Sequence, residues 1–275
     1  MSESSYGRSM RRVVFVVLAL VALLSFGCVS ITASGEHGDG TSEEIQNHTF
    51  DVGENPVIDV TGFNGSINIV TGDDGEVDVA TELRIPSRVS YSASVTDNTV
   101  TVTAKRVGSG ISFGRSPSAE IHLVVPINSI IKARTSNGRI EVNGVTGDGV
   151  LETSNGRITL VNTIGTFDSS TSNGSIKMTG VSGQFRADTS NGRIEFSGTL
   201  GSETDNVFTT SNGSINIVFE TAPSVDLDAK TSNGTVDSEL PILATTTQKS
   251  HLVGKYGTGS ASLELRTSNG SINIR

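Results

Sequence analysis

Residues 133–142 read ARTSNGRIEV, and the tetrapeptide Thr-Ser-Asn-Gly inside them, begun at Thr135, starts again at Thr153, Thr171, Thr189, Thr210, Thr231 and Thr267. Successive copies lie 18, 18, 18, 21, 21 and 36 residues apart. A regular interval with small insertions means one structural unit per period, and the long gap reads as two coils of 18 with one degenerate copy. After each Gly comes a polar residue and then an alternation, as in Ile140-Glu141-Val142, Ile158-Thr159-Leu160, Ile176-Lys177-Met178, Ile194-Glu195-Phe196 and Ile215-Asn216-Ile217. Alternation at period two is the pattern of a half-buried strand.

A second strand precedes each corner. Ile131 and Ala133, Phe167 and Ser169, Phe185 and Ala187, Leu227 and Ala229, and Leu263 and Leu265 point inward, while Lys132, Asp168, Arg186, Asp228 and Glu264 between them face water. Each unit is therefore strand, Ser-Asn-Gly corner, strand and a second corner, where Gly147, Gly165, Gly183 and Gly201 share one offset. Asn and Gly tolerate the positive φ that tight corners demand.

Two all-β architectures fit. In an antiparallel meander each Asn-Gly is a two-residue hairpin turn. In a β-solenoid of 18–21-residue coils, each corner stacks on its counterpart about 4.8 Å away. Stacking gives the recurring Thr and Ser a reason to recur as well, so the solenoid is favoured. One coil cannot bury enough to fold alone, so many copies are needed. The strands are too short for a transmembrane barrel.

The rest of the chain divides around this domain. Arg8, Arg11 and Arg12 precede the apolar run from Val13 to Leu24, so residues 1–27 read as a signal peptide or membrane anchor. Cys28, the only cysteine, ends LLSFGC, which resembles a bacterial lipobox despite Ser25 and Phe26, and makes Cys28 a candidate lipid anchor. Residues 28–46, rich in Ser, Gly, Glu and Asp, read as a flexible tether. Residues 47–275 form a single β-strand-repeat domain, with 47–131 as irregular first coils and 132–275 as regular repeats. Within the first part, Asn64-Gly65-Ser66-Ile67-Asn68-Ile69 is a copy of the repeat, and VSYSASVTDNTVTVTAKR is an excursion of longer antiparallel strands around Asp97-Asn98.

The units NGSINI and TSNGxI, the preceding LVVP segment at Leu123–Pro126 and the N-terminal export signal resemble the putative-adhesin family of bacterial and archaeal β-strand-repeat proteins of unknown function. The resemblance covers about residues 48–275. It implies a stacked β-helix-like domain outside the membrane and supplies no catalytic residue to carry over.

Charge and motif content narrow the chemistry. Residues 1–27 hold Glu3 and three arginines, so removing them takes the net charge from −9 to −11. Such a domain offers no basic footprint for nucleic acid. His37, His48, His122 and His251 are scattered, and Asp73-Asp74-Gly75-Glu76 with Asp78 lacks the order of a calcium loop, so no metal or cofactor is expected. GSGISFG at 108–114 opens no helix and reads as a loop. A polysaccharide-cleaving β-helix would need clustered acids in a groove, and glycan binders add aromatic platforms. Here Trp is absent and Phe167, Phe185 and Phe196 sit inward. An enzyme is not expected.

The candidate functional features are therefore repeats. The corner asparagines Asn64, Asn137, Asn155, Asn173, Asn191, Asn212, Asn233 and Asn269 form one ladder. Arg139, Arg157 and Arg193 follow the corner Gly, where other coils carry Ser175, Ser214, Thr235 and Ser271, and form a candidate contact ladder. Of the N-x-S/T sequons, only Asn47 lies where a glycan would leave the Asn stack undisturbed. The expected protein is exported and membrane-anchored, a cell-surface structural or adhesion-like module that binds an envelope polymer or a membrane protein. An envelope-stress or signalling accessory is the alternative, ahead of a carbohydrate-active β-helix. The chain ends at NGSINIR without a polar cap, which leaves room for end-to-end self-association.

Overall fold

A computed structural model of the chain describes residues 31–36, 42–108 and 116–275. Residues 1–27, Cys28, His37 and residues 109–114 of the glycine-rich loop lie outside the described residues. The described chain is almost entirely strand, with one 3-10 turn at Pro86–Arg88.

The alternating segments stack as coils of a β-solenoid. The strands before the corners pair in parallel and in register, from Val57–Thr61 through Ile130–Thr135, Gly149–Thr153 and Ile164–Thr171 onward. The strands after the corners form a second parallel stack, from Ile67–Thr71 through Ile140–Asn143 and Ile158–Val161 onward. A shorter third stack runs along the second corner, through Asn128, Thr146 and Ile164 to Ser182 and Thr199. The meander is excluded, because neighbouring repeats run parallel.

The core follows from the alternation. Ile67, Ile140, Ile158, Ile176, Ile194, Ile215 and Ile272 make one buried column, as strict register requires when one face is apolar. Phe167, Phe185 and Phe208 on the strands before the corners and Phe196 on a strand after one form a buried aromatic staircase, with ring centroids 6.4, 5.6 and 5.5 Å apart along Phe167, Phe185, Phe196 and Phe208. Gly149 makes room for it, since a Cβ there would lie 2.5 Å from the Phe167 ring.

The N-terminal end widens into antiparallel sheet. Ser42–Asp51, Glu76–Arg84 and Ser118–Val125 extend the second stack. Val89–Thr96 and Thr99–Arg106 extend the first as the expected hairpin, with φ of 47° at Asp97 and 61° at Asn98. Both values suit a two-residue hairpin turn. Thr99–Arg106 and Ser118–Val125 themselves run parallel and in register on Val57–Thr61 and Ile67–Thr71, so region 47–131 holds two coils, to which Ser42–Asp51, Glu76–Arg84 and Val89–Thr96 add antiparallel strands.

Three expectations change. Ile31–Glu36 and Ser42–Asp51 pair antiparallel, so a large part of the segment read as tether is strand. The 36-residue gap holds no degenerate coil: Leu243–Gln248 and His251–Tyr256 form a hairpin that covers Val225–Asn233. The chain then returns, and Ala261–Asn269 inserts between Asp205–Asn212 and Val225–Asn233. In space the corners therefore follow the order Asn64, Asn137, Asn155, Asn173, Asn191, Asn212, Asn269, Asn233. NGSINIR is an internal coil, and the outermost strand after a corner is Val236–Ser238.

Candidate binding surface at the repeated corner

The corner is built by contacts between coils. Asn137 Nδ2 donates to Asn64 Oδ1 at 2.8 Å, and the bond repeats from Asn155, Asn173, Asn191, Asn212, Asn269 and Asn233, each to the rung before, at 2.8 or 2.9 Å. Asn64 closes the series by donating to the carbonyl of Pro117. All the amides point the same way, so their dipoles add along the rod and each bond polarises the next. The expected ladder is present, with the C-terminal rung moved one place inward.

Beneath it, each Thr hydroxyl reaches the Gly carbonyl of the coil before. Thr153 donates to Gly138, Thr171 to Gly156, Thr189 to Gly174, Thr210 to Gly192, Thr267 to Gly213 and Thr231 to Gly270, at 2.8–3.1 Å. Thr135 departs from the pattern. Its buried Oγ1 has no partner among the described residues, and in the coil before it Gly62-Phe63 replaces Thr-Ser. The serines of the corner are exposed, so Ser and Asn together form the outer surface of this edge.

The glycine requirement differs from the one expected. No corner Asn has positive φ, and of the corner glycines only Gly65 and Gly270 do, at 129° and 155°. A Cβ on Gly156 would lie 1.9 Å from the Gly138 carbonyl oxygen, and Gly174, Gly192 and Gly213 meet the same obstruction. The backbones approach too closely for any side chain. At the second corner the torsion argument does hold, with φ of 147°, 136° and 137° at Gly147, Gly165 and Gly183, though not at Gly201.

Arg139 and Arg157 occupy adjacent rungs, Ser175 the next, and Arg193 the one after. All three arginines are exposed. Arg157 Nε donates to Ser175 Oγ at 2.9 Å, and Arg193 Nη1 lies 3.0 Å from Glu195 Oε1. The column is partly engaged within the protein, and each guanidinium keeps further N–H groups for outside contact. Two solvent-open depressions flank the start of the Asn ladder. One is lined by Asn64, Arg84, Pro117 and Asn137, the other by Gly62, Arg134, Thr135, Glu152 and Ser154.

The outer face of the first stack carries opposed charges on neighbouring coils, which sequence spacing did not disclose. Arg134 Nε meets Glu152 Oε2 at 2.7 Å, and Asp168 lies beside Arg186 in register. Burial pushes the Asp168 carboxyl up despite that arginine. Asp228 takes a hydrogen bond from Arg266 and another from His251 Nε2, the latter at 3.0 Å. Arg266 chiefly, with His251, holds the Asp228 carboxyl below its ordinary value. Asp73, Asp74 and Glu76 lie at the turn into Glu76–Arg84, and among the described residues no cluster of His, Cys, Asp and Glu has metal-binding geometry. His48 stacks between Phe50 and Tyr91, and its pKa is lowered by burial. His122 sits 3.3 Å from Asn68 on the outer face.

Residues 166–275 match the model of the family described as Toastrack DUF4097, which bears out the resemblance read from the corner units. No curated protein matches the chain. Three solved structures are similar over 84% of the chain. They are described as a putative adhesin from Bacteroides fragilis (13% identity, 97% of that chain, TM-score 0.45), a putative cell adhesion protein from Clostridium sporogenes (13%, 98%, 0.39) and a putative adhesin from Parabacteroides distasonis (12%, 97%, 0.35).

Proposed function

We propose that the protein is a non-catalytic, cell-surface binding module, exported and held at the membrane through residues 1–27 or a lipid on Cys28. The observation that carries this reading is the repetition of one polar corner, in register, along the whole stack. Exposed Ser and Asn recur on successive coils, and the Asn amides are already fixed by one another. A surface ordered before binding loses little entropy when a ligand arrives. A polymer or protein that meets several rungs at once binds by the sum of weak contacts. Arg139, Arg157 and Arg193 border this corner and supply its positive charge, which suits an anionic envelope polymer or an acidic membrane protein.

The test is binding of the protein without residues 1–27 to isolated cell envelopes, beside a version in which Arg139, Arg157 and Arg193 are all changed to Ser. Saturable binding that weakens at least about tenfold in the triple variant, about 1.4 kcal/mol, is expected. Equal binding by both proteins removes the arginines from the contact. Absence of binding by either refutes the adhesive reading.

A further inference from the structure

The C-terminal coil fills a slot between two coils that precede it in the chain. Ala261–Asn269 pairs in register with Asp205–Asn212 on one side and Val225–Asn233 on the other. Ile272–Ile274 pairs likewise with Ile215–Phe219 and Val236–Ser238. Ala261, Leu263, Leu265, Ile272 and Ile274 are buried there, and the corner adds Asn269 bonds to Asn212 and from Asn233.

The slot has to exist before its occupant, because the chain makes both walls first. Residues 220–224 join the walls and reach about 16 Å when extended. Two inter-strand spacings of about 4.8 Å separate walls that hold a coil between them. That link neither forces the slot closed nor fills it. What recognises the occupant is the pattern of apolar-x-apolar-x-Thr-Ser-Asn-Gly-x-Ile-x-Ile together with parallel ladder bonding, and every copy of this chain carries that segment at its end.

The connection into the segment is a short turn. Residues 257–260 cross the start of Val225–Asn233, with φ of 69° at Gly257 and 71° at Gly259, and they are gathered on one residue, Ser224. Opening that turn costs a handful of hydrogen bonds and leaves every buried contact of the coil available in trans. Short hinges of this kind favour exchange of an element between copies.

We propose that the slot between residues 206–219 and 225–238 is a strand-binding site, and that a second copy of this chain fills it with its own residues 261–275. Reciprocal exchange closes a two-fold dimer. The single chain prevails when dilute, because its own segment is tethered beside the slot. This inference is independent of what the outer faces bind.

Asp205 and Ser262 test it, since they are register partners with Ser262 Oγ donating to Asp205 Oδ1 at 2.7 Å, and neither is buried. In a Cys28→Ser background, one full-length copy carries Asp205→Cys and a differently tagged copy carries Ser262→Cys. The two are unfolded, refolded together in detergent at high concentration and then oxidised. The expected result is a disulfide between the two tags, rising when Gly257→Val and Gly259→Val strain the turn, and absent when copies folded separately are mixed. A copy carrying both Asp205→Cys and Ser262→Cys, refolded dilute, must close its disulfide internally, which shows that the sites fold and meet. Given that internal closure, co-refolding without an interchain disulfide overturns the proposal, as does equal cross-linking of copies folded separately.

Discussion

At the corner, Gly156 is demanded by its neighbour rather than by its own torsion. Its place is 1.9 Å, measured from a hypothetical Cβ, from the carbonyl oxygen of Gly138, and that carbonyl is also the acceptor for Thr153. Moving the oxygen aside to admit a methyl breaks the threonine bond as well. Gly156→Ala is therefore expected to destabilise the protein by about 3 kcal/mol or more, at the upper end of overpacking costs. Gly201→Ala is the control, because its nearest obstruction is the Thr204 methyl at 3.0 Å and its φ is not left-handed, and its cost is expected to stay under about 1.5 kcal/mol. Urea unfolding of the two variants decides the matter, and equal costs would refute the close-approach account. The Thr-Ser-Asn-Gly unit was legible in the sequence as a stacking unit, but the reason for its Gly was not. Positive φ is a local property that a sequence suggests, whereas the distance to another coil's carbonyl exists only once the coils have met.

Among the elements, the hairpin around Asp97-Asn98 could be read because its signal is confined to adjacent residues and their torsions. The hairpin Leu243–Gln248 with His251–Tyr256 could not, because PILATTTQKSHLVGKYG carries no alternation strong enough to separate it from a worn repeat. Its attachment to the terminal coil includes the cluster of Asp228 with His251 and Arg266, beside Glu264. Asp228 ionises more readily in the folded chain than its ordinary value of 3.8. The stabilisation is therefore complete above that value and is lost as pH falls through the lowered native one. Asp168 and Glu82, both pushed up chiefly by burial, act in the opposite sense and gain as their charge is removed. A local probe is needed to separate them. Protection of the amides of Ala229 and Leu252, register partners between the hairpin and the strand it covers, should fall below about pH 3.8, and Asp228→Asn should abolish that fall while protection at Ile158 is unchanged. Persistence of the acid response in Asp228→Asn would assign it to other groups.

Over the whole molecule, the order of coils in space is the feature that sequence could least disclose. The seven Thr-Ser-Asn-Gly corners are alike, so any one can sit on any other, and nothing in the residues 261–275 marks them for a place between the coils of Asn212 and Asn233. Connection length and the covering hairpin make that choice, and both are properties of the assembled stack. The consequence is that the end of the chain is not an end of the rod. Local stability in a stacked array follows the number of neighbouring coils, not position in the chain. Ile274 is buried, and Ile272–Ile274 is paired on both sides, whereas Val236–Ser238 has a strand on one side and Val236 is only half-buried. Native-state hydrogen exchange should therefore show residues 263–274 protected at the level of residues 206–217. Residues 236–238 and 243–248 should open first, although they lie further from the terminus. Fast exchange of residues 263–274, like that of a fraying tail, would mean that the last coil lies outside the stack and that the Asn212 and Asn233 rungs touch directly.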